Sequence, residues 1–278
     1  MTKGRKLAES VERQKYFEAA AAPSPEQDEG TRELGELYPF LIGGGTNTER
    51  FYFTHINDNT EHKFNIRPRY FGDESNYTEA FPKRILEVLA TNDNAKIFCV
   101  FDWDTVYGNE ANLKKHETFE TQFKTEIANG TVTLCPSMPS IEYWFLLHFE
   151  DNTNLLKNYG KVADVLGKYI KTCFPDPSKP LKKLLKSEEN LKDSIWVENL
   201  CADGKLEQAI ERAEKNIAAA LESGTLEQQS YSFVYKVFRG SGLSRWHNAE
   251  CLELGTVMLE GKDGRYEPLG KEDIMNKD

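Results

Sequence analysis

Two aspartates stand two residues apart, directly after the strongest strand signal in the chain, the apolar run of residues 97–101. Side chains two residues apart on a strand point to the same face, so Asp102 and Asp104 are expected to aim at one point. Two close carboxylates repel each other, and a hard cation such as Mg²⁺ is a usual means of keeping both ionised. The alternative is that these polar residues only mark where the strand reaches solvent.

A third carboxylate, Glu142, lies just inside a predicted helix that has Pro139 in its first turn. Residues 141–149 are apolar on nearly every face, so this helix should be buried. Acidic residues favour helix N-termini through the helix dipole, which is a sufficient structural explanation. A carboxylate at the start of a buried helix is also a candidate site residue. His148 lies among the apolar residues, as is typical of a structural histidine.

A glycine turn, Gly43-Gly44-Gly45, follows a short apolar run and precedes Thr48-Glu49. It is not a P-loop, since no Gly-Lys-Ser/Thr follows, and it lacks the spacing of a dinucleotide-binding motif. Its backbone amides could still bind an anion at a helix start. A tight turn without a ligand is the alternative.

The elements that must position these residues are strands alternating with helices. Four strands are predicted at residues 37–42, 62–72, 95–102 and 131–137. This order predicts an α/β fold with a mostly parallel sheet flanked by helices. Ligands of such sheets bind beyond the C-terminal ends of the strands, where the glycines, the two aspartates and the segment from Ser137 to Glu142 all lie.

We predict three parts of the chain: residues 1–35, 36–151 and 152–278. The first is an N-terminal helix and an acidic linker, the second is the α/β domain, and the third is a mainly helical region with a terminal hairpin. A basic stripe in the third part, Lys182, Lys183 and Lys186, is followed at once by two glutamates, so we interpret it as a solvated helix face.

Composition limits the classes of function. The net charge of −10 gives no overall attraction to nucleic acid, although it does not exclude a local binding patch. Five cysteines without a CxxC pair favour reduced thiols and argue against a zinc site. No apolar run approaches the roughly 18 residues that span a bilayer, and no signal peptide is recognisable. We therefore expect a cytoplasmic protein without membrane contact.

Three segments resemble the RloB-like proteins that are associated with abortive phage resistance and carry a Toprim-like domain. They are GGGTNTERFYF, FCVFDWD and PSMPSIEYWFLLHF, at residues 43–53, 98–104 and 136–149. The most specific part is the pattern Ser-x-Pro-x-x-Glu-x-Trp-x-Leu-Leu-His-Phe, matched from Ser137 to Phe149. The resemblance is good over about residues 38–150 and loose in the C-terminal half.

The resemblance implies a Toprim-like fold and a Mg²⁺- or Mn²⁺-dependent site acting on phosphodiesters. Asp102 and Asp104 carry over directly as metal ligands. The family usually has Glu-Gly before its Thr-Glu segment, where this chain has Gly44-Gly45. We expect Glu142 to complete the metal-binding cluster and Glu49 to support it.

We therefore expect a metal-dependent nuclease that cuts DNA or RNA, tRNA included, as an effector of antiphage defence. An ATPase or sensor protein is an expected partner, and an oligomer is not excluded. The alternative is a catalytically degenerate module that binds a nucleotide, a nucleic acid or a phage signal. The catalytic candidates are Asp102, Asp104, Glu142 and Glu49; the binding candidates are Gly43, Gly44, Gly45, Thr48, Ser137 and His148.

Overall fold

The computed structural model describes residues 38–45, 47–68, 77–92 and 94–240, together with the strands at 258–260 and 266–268. Its main sheet has five strands in the order β2-β1-β3-β4-β5. They are β1 Phe40–Gly43, β2 Asn65–Arg67, β3 Ile97–Asp102, β4 Val132–Met138 and β5 Tyr231–Ser232. The first four pair in parallel and β5 pairs antiparallel with β4. The predicted mostly parallel α/β sheet is confirmed.

Both faces of the sheet are covered, which explains why β3 is a continuous apolar run. Alternate side chains enter two separate hydrophobic clusters. One cluster contains Leu41, Phe98, Val100 and Cys135. The other contains Ile42, Ile97, Cys99 and Phe101.

Helices flank the sheet throughout the first half of the described chain. They are α1 Thr48–Asn59, α2 Tyr77–Thr91, α3 Glu110–Gln122, α4 Lys124–Ala128 and α5 Ile141–Leu147. Helices α2 and α3 cover one face through Phe81, Ile85 and Phe119. Helices α1 and α5 lie on the opposite face, and α5 is buried along its whole length as its apolar sequence predicts.

The second half of the described chain is mainly helical, as predicted. Its helices are α6 Tyr159–Ile170, α7 Leu181–Lys186, α8 Glu188–Leu191, α9 Ile195–Cys201, α10 Lys205–Ser223 and α11 Tyr235–Arg239. These helices bury Leu184, Trp196 and Ala209 in the same cluster as the sheet residues Leu41 and Val100. One core therefore joins the helical region to one face of the sheet.

Strand β5 differs from the sequence-based prediction, which treats residues 226–238 as mostly helical. Ser232 pairs with Ser137 and Tyr231 with Met138, so two residues of this segment complete the edge of the sheet. A two-residue strand carries too few positions for an alternating pattern to be visible.

Several predictions fall wholly or partly outside the described residues. The N-terminal helix and the acidic linker are among them. Strands β6 Met258–Glu260 and β7 Tyr266–Pro268 pair antiparallel, while the predicted turn between them, at residues 262–264, is outside the described part. No described helix is both long and apolar enough to cross a membrane.

Candidate functional site

The two aspartates lie where β3 ends. The strand stops at Asp102, and Asp104 belongs to a short 3-10 turn, Trp103–Thr105. The reasoning from two-residue strand spacing therefore does not apply to Asp104. Its backbone N–H donates to Pro139 O at 3.1 Å, which ties this turn to the segment before α5.

The start of α5 lies against Asp102. The backbone N–H of Ile141 donates to Asp102 Oδ1 at 2.8 Å, so this carboxylate also satisfies one of the free N–H groups of the first helical turn. Glu142 is fully buried one residue later. Ser140 Oγ donates to Glu142 Oε2 at 2.5 Å. The carboxylates of Asp102 and Glu142 are therefore both held by the same helix start.

Glu49 comes from the first turn of α1 and is buried. Its carboxylate lies over the glycine turn: a Cβ built on Gly45 would be 1.8 Å from Glu49 Oε2 and 2.3 Å from Cδ. A side chain at position 45 would therefore displace this carboxylate. The close approach that three glycines imply is made by a carboxylate of the same chain.

Gly44 is held against β3. Its N–H donates to Val100 O at 2.8 Å, so this amide is not available for an anion. A Cβ at this position would lie 3.2 Å from the Cβ of Phe101 and 3.3 Å from Val100 O, which is tight. With a carboxylate beside the turn and one amide engaged, the surroundings disfavour an anion unless a cation accompanies it.

A cation does lie at the site, and it comes from the helical region. Lys186, the last residue of α7, places Nζ 2.8 Å from Glu142 Oε1, although this contact lacks hydrogen-bond geometry. The end of α7 is anchored to the start of α1, because Thr48 Oγ1 donates to Leu185 O at 2.5 Å and Asn47 Nδ2 donates to Lys186 O at 3.4 Å.

Four carboxyl groups and one ammonium lie near one another, and burial, followed by the charges of neighbouring groups, shifts most of their pKa values. Burial, and then the charges of Glu49 and Glu142, raise the pKa of Asp102 well above its usual range. Burial raises the pKa of Glu49, and the positive charge of Lys186 partly offsets this rise. Burial, and then the negative charge of Glu142, raise the pKa of Asp104. Burial alone would lower the pKa of Lys186, but the neighbouring carboxylates outweigh it and the pKa is raised.

Donor type and charge at this site fit a divalent cation such as Mg²⁺ or Mn²⁺. Oxygen Oε1 of the buried Glu142 accepts no hydrogen bond of good geometry, and its close neighbour is the ammonium of Lys186. The arrangement is not a closed ligand set, however: among the described residues, no three His, Cys, Asp or Glu side chains are grouped so that they could hold a metal ion. Lys186 lies at Glu142 instead.

The remaining predicted site residues have other contacts. Ser137 Oγ lies 2.8 Å from Ser232 Oγ and joins β4 to β5. The ring Nδ1 of His148 lies 3.0 Å from Trp144 O, and burial lowers the pKa of this histidine to about 3, which keeps it neutral. Thr48 anchors α7 as described. The four carboxylates therefore lie within electrostatic range of one another, whereas Ser137 and His148 have structural contacts.

Two residues near the carboxylates are not among the sequence-predicted ones. The interpretation of Lys186 as part of a solvated face is wrong in part: its side chain is 44% exposed, but its ammonium contacts the fully buried Glu142. Tyr159 lies beside it, with Lys186 Nζ 5.6 Å from the ring centroid, and burial followed by the charge of Glu142 raises the pKa of this tyrosine. Nothing in the spacing of residues 159 and 186 indicates this proximity, which depends on how α6 and α7 pack.

Comparison with known proteins identifies a family. A family model described as RloB-like protein matches residues 40–239, which is more than half of the chain. The match includes the sheet, every residue of the carboxylate site and α7. No curated protein and no solved structure gives a significant match.

Proposed function

The chain belongs to the RloB-like family, and on this basis we propose that it is a metal-dependent nuclease that hydrolyses phosphodiester bonds in DNA or RNA. One observation supports the proposal: Glu49, Asp102, Asp104 and Glu142 lie beyond the C-terminal ends of the parallel strands, near enough to Lys186 and to one another for their charges to shift pKa values within the group. This edge is where ligands of such sheets bind.

Each carboxylate has a role in this proposal. Asp102, Asp104 and Glu142 would hold Mg²⁺ or Mn²⁺ only after Lys186 has left Glu142 and the three side chains have moved together, since they are not grouped as a metal site in the present arrangement. The bound ion would neutralise the phosphate and activate the attacking water. The Ile141 N–H fixes the direction of Asp102, and Ser140 Oγ orients Glu142. These bonds set the orientation of two ligands before an ion arrives.

Glu49 is proposed as the proton carrier of the reaction. It is buried, its pKa is raised, and its carboxylate lies over the glycine turn where the family usually has a glutamate. A carboxyl group with a raised pKa can accept a proton at one step and return it at another. Asp104 is the most accessible ligand candidate, since it lies on the turn beyond the strand.

The test is cleavage of single- and double-stranded DNA, RNA and tRNA by the purified protein with Mg²⁺, Mn²⁺ or EDTA. We expect cation-dependent cleavage that falls at least about 100-fold in Asp102→Asn and Glu142→Gln, the range seen when preorganised charge is removed from an active site. Glu117→Gln changes an exposed carboxylate of α3 and serves as the matched control. Cleavage that persists unchanged in Asp102→Asn would contradict the proposal.

The proposed biological role is that of an effector in antiphage defence, acting with an ATPase or sensor protein. It rests on the resemblance of the three sequence segments to proteins of abortive phage resistance. We expect phage plating to drop in cells that express the protein with its neighbouring genes, and to recover with Asp102→Asn. Equal protection by the wild type and this variant would separate the defence role from nuclease activity.

A second candidate is a binding module without catalysis. The Glu142–Lys186 ion pair and the glycines at positions 44 and 45 favour it, because they leave the site without a closed ligand set. Under this proposal Lys186 is the cation that accompanies a bound phosphate, so nucleotides or oligonucleotides raise the melting temperature without divalent ions, the shift survives in Asp102→Asn, and no product forms. A shift that requires Mn²⁺ would favour the nuclease.

A further inference from the structure

We propose that Lys186 is the resident counter-cation of the site and competes with the divalent ion for Glu142, so that it sets the metal affinity of the protein. This inference rests on the proposed function, because it concerns the same carboxylates. Under this inference, a lysine from the helical region controls how tightly the site binds a divalent ion.

The position of Lys186 is determined by packing. Helix α7 buries Leu181, Leu184 and Leu185 and exposes the lysines between them. Thr48 and Asn47 then hold the backbone carbonyls at the end of α7. The backbone of Lys186 is therefore fixed at the site, whereas its side chain is 44% exposed and has a route to solvent.

The contacts of Glu142 make the competition direct. Oε2 is bound by Ser140, and the only described contact of Oε1 within ion-pair distance is Lys186 Nζ at 2.8 Å. A cation cannot use Oε1 while the ammonium is in this position, because two positive charges would then share one oxygen. Rotation of the lysine side chain releases Oε1 without any movement of the sheet.

The charge balance gives the direction of the exchange. One ammonium opposes four carboxylates, and the carboxylate that it contacts, Glu142, is fully buried. A divalent ion brings twice the charge of the ammonium and can contact several oxygens at once. The structure is therefore expected to exchange Lys186 for the ion, at the energetic cost of breaking one ion pair.

The experiment is calorimetric titration of the purified protein with Mn²⁺, without any substrate. Removing the competitor in Lys186→Met should tighten Mn²⁺ binding at least tenfold. Lys186→Arg keeps a cation and should bind Mn²⁺ within about threefold of the wild type. Lys182→Met, on the exposed side of the same helix, should leave the affinity unchanged. Glu142→Gln should weaken binding at least tenfold.

Circular dichroism checks that each variant is folded, and Mn²⁺-induced stabilisation gives a second readout if Lys186→Met is too unstable to titrate. That variant should then show a larger Mn²⁺-induced rise in melting temperature than the wild type. If the wild type binds Mn²⁺ and Lys186→Met binds it no more tightly, or more weakly, this inference is overturned and the nuclease proposal stands. Absence of Mn²⁺ binding in every variant would overturn both.

Discussion

The ion pair between Lys186 and Glu142 can be measured by a double-mutant cycle in the absence of divalent ions. Lys186→Met leaves a fully buried carboxylate without its cation. Glu142→Gln keeps the shape of the side chain and releases the lysine to solvent. We expect Lys186→Met to destabilise the protein on the wild-type background and to have little effect on the Glu142→Gln background.

The expected magnitude follows from the contact distance. Two unit charges 2.8 Å apart attract each other by about 6 kcal/mol at an effective dielectric constant of about 20. Because Lys186 is 44% exposed, water screens much of this attraction. We expect a coupling free energy of about 2–3 kcal/mol, which is lower than the roughly 3–5 kcal/mol for breaking a fully buried pair.

The assay is urea unfolding of the wild type, the two single variants and the double variant at pH 8 in EDTA. A cycle with Lys182→Met in place of Lys186→Met is the control, and it should be additive because Lys182 lies on the exposed side of α7. A coupling free energy below about 0.5 kcal/mol, the range of independent sites, would refute the reasoning. Lys186 would then be an ordinary surface lysine.

Three further predictions concern neighbouring residues. Gly45→Ala places a Cβ where the Glu49 carboxylate lies, so the cleavage rate should fall as it does in Glu49→Ala. Cleavage assays should show no further loss in the double variant. Burial and the neighbouring carboxylates raise the pKa of Asp102 in the folded state, so this group reduces stability as pH rises from its unfolded towards its folded pKa. Asp102→Asn should therefore melt at a higher temperature than the wild type at pH 8 in EDTA, and the difference should shrink towards pH 5; an unchanged difference would contradict this reasoning. Thr48→Val loses the hydrogen bond to Leu185 O, and urea unfolding should show a loss of about 1–2 kcal/mol, whereas equal stability would mean that this bond does not anchor α7.

The sheet could be predicted from sequence because its strands are buried on both faces. Strand β3 is an uninterrupted apolar run, and helices separate the strands at the expected spacing, so the sequence predicts the type of each of these elements and the mostly parallel sheet. It does not predict the order of the strands in the sheet. Strand β5 could not be predicted, since its two residues form a strand only through pairing with β4.

The candidate site could be predicted only in part. Asp102 and Glu142 follow from their places at a strand end and a helix start, both of which are local features. The orientation of Glu49 over Gly45 depends on how α1 leaves the sheet, and Lys186 reaches Glu142 through the packing of α7. Contacts between residues that are far apart in sequence leave no local pattern.

The residues of the site come from both halves of the chain, so they leave the ribosome at different times. All four carboxylates are synthesised before Lys186, and β5, which binds the edge of β4 through Ser232, is synthesised later still. A nascent chain thus carries the acidic half of the site before the residues that neutralise and enclose it. The pairing of Glu142 with Lys186 and the completion of the sheet edge by Ser232 therefore wait until those later residues have been made.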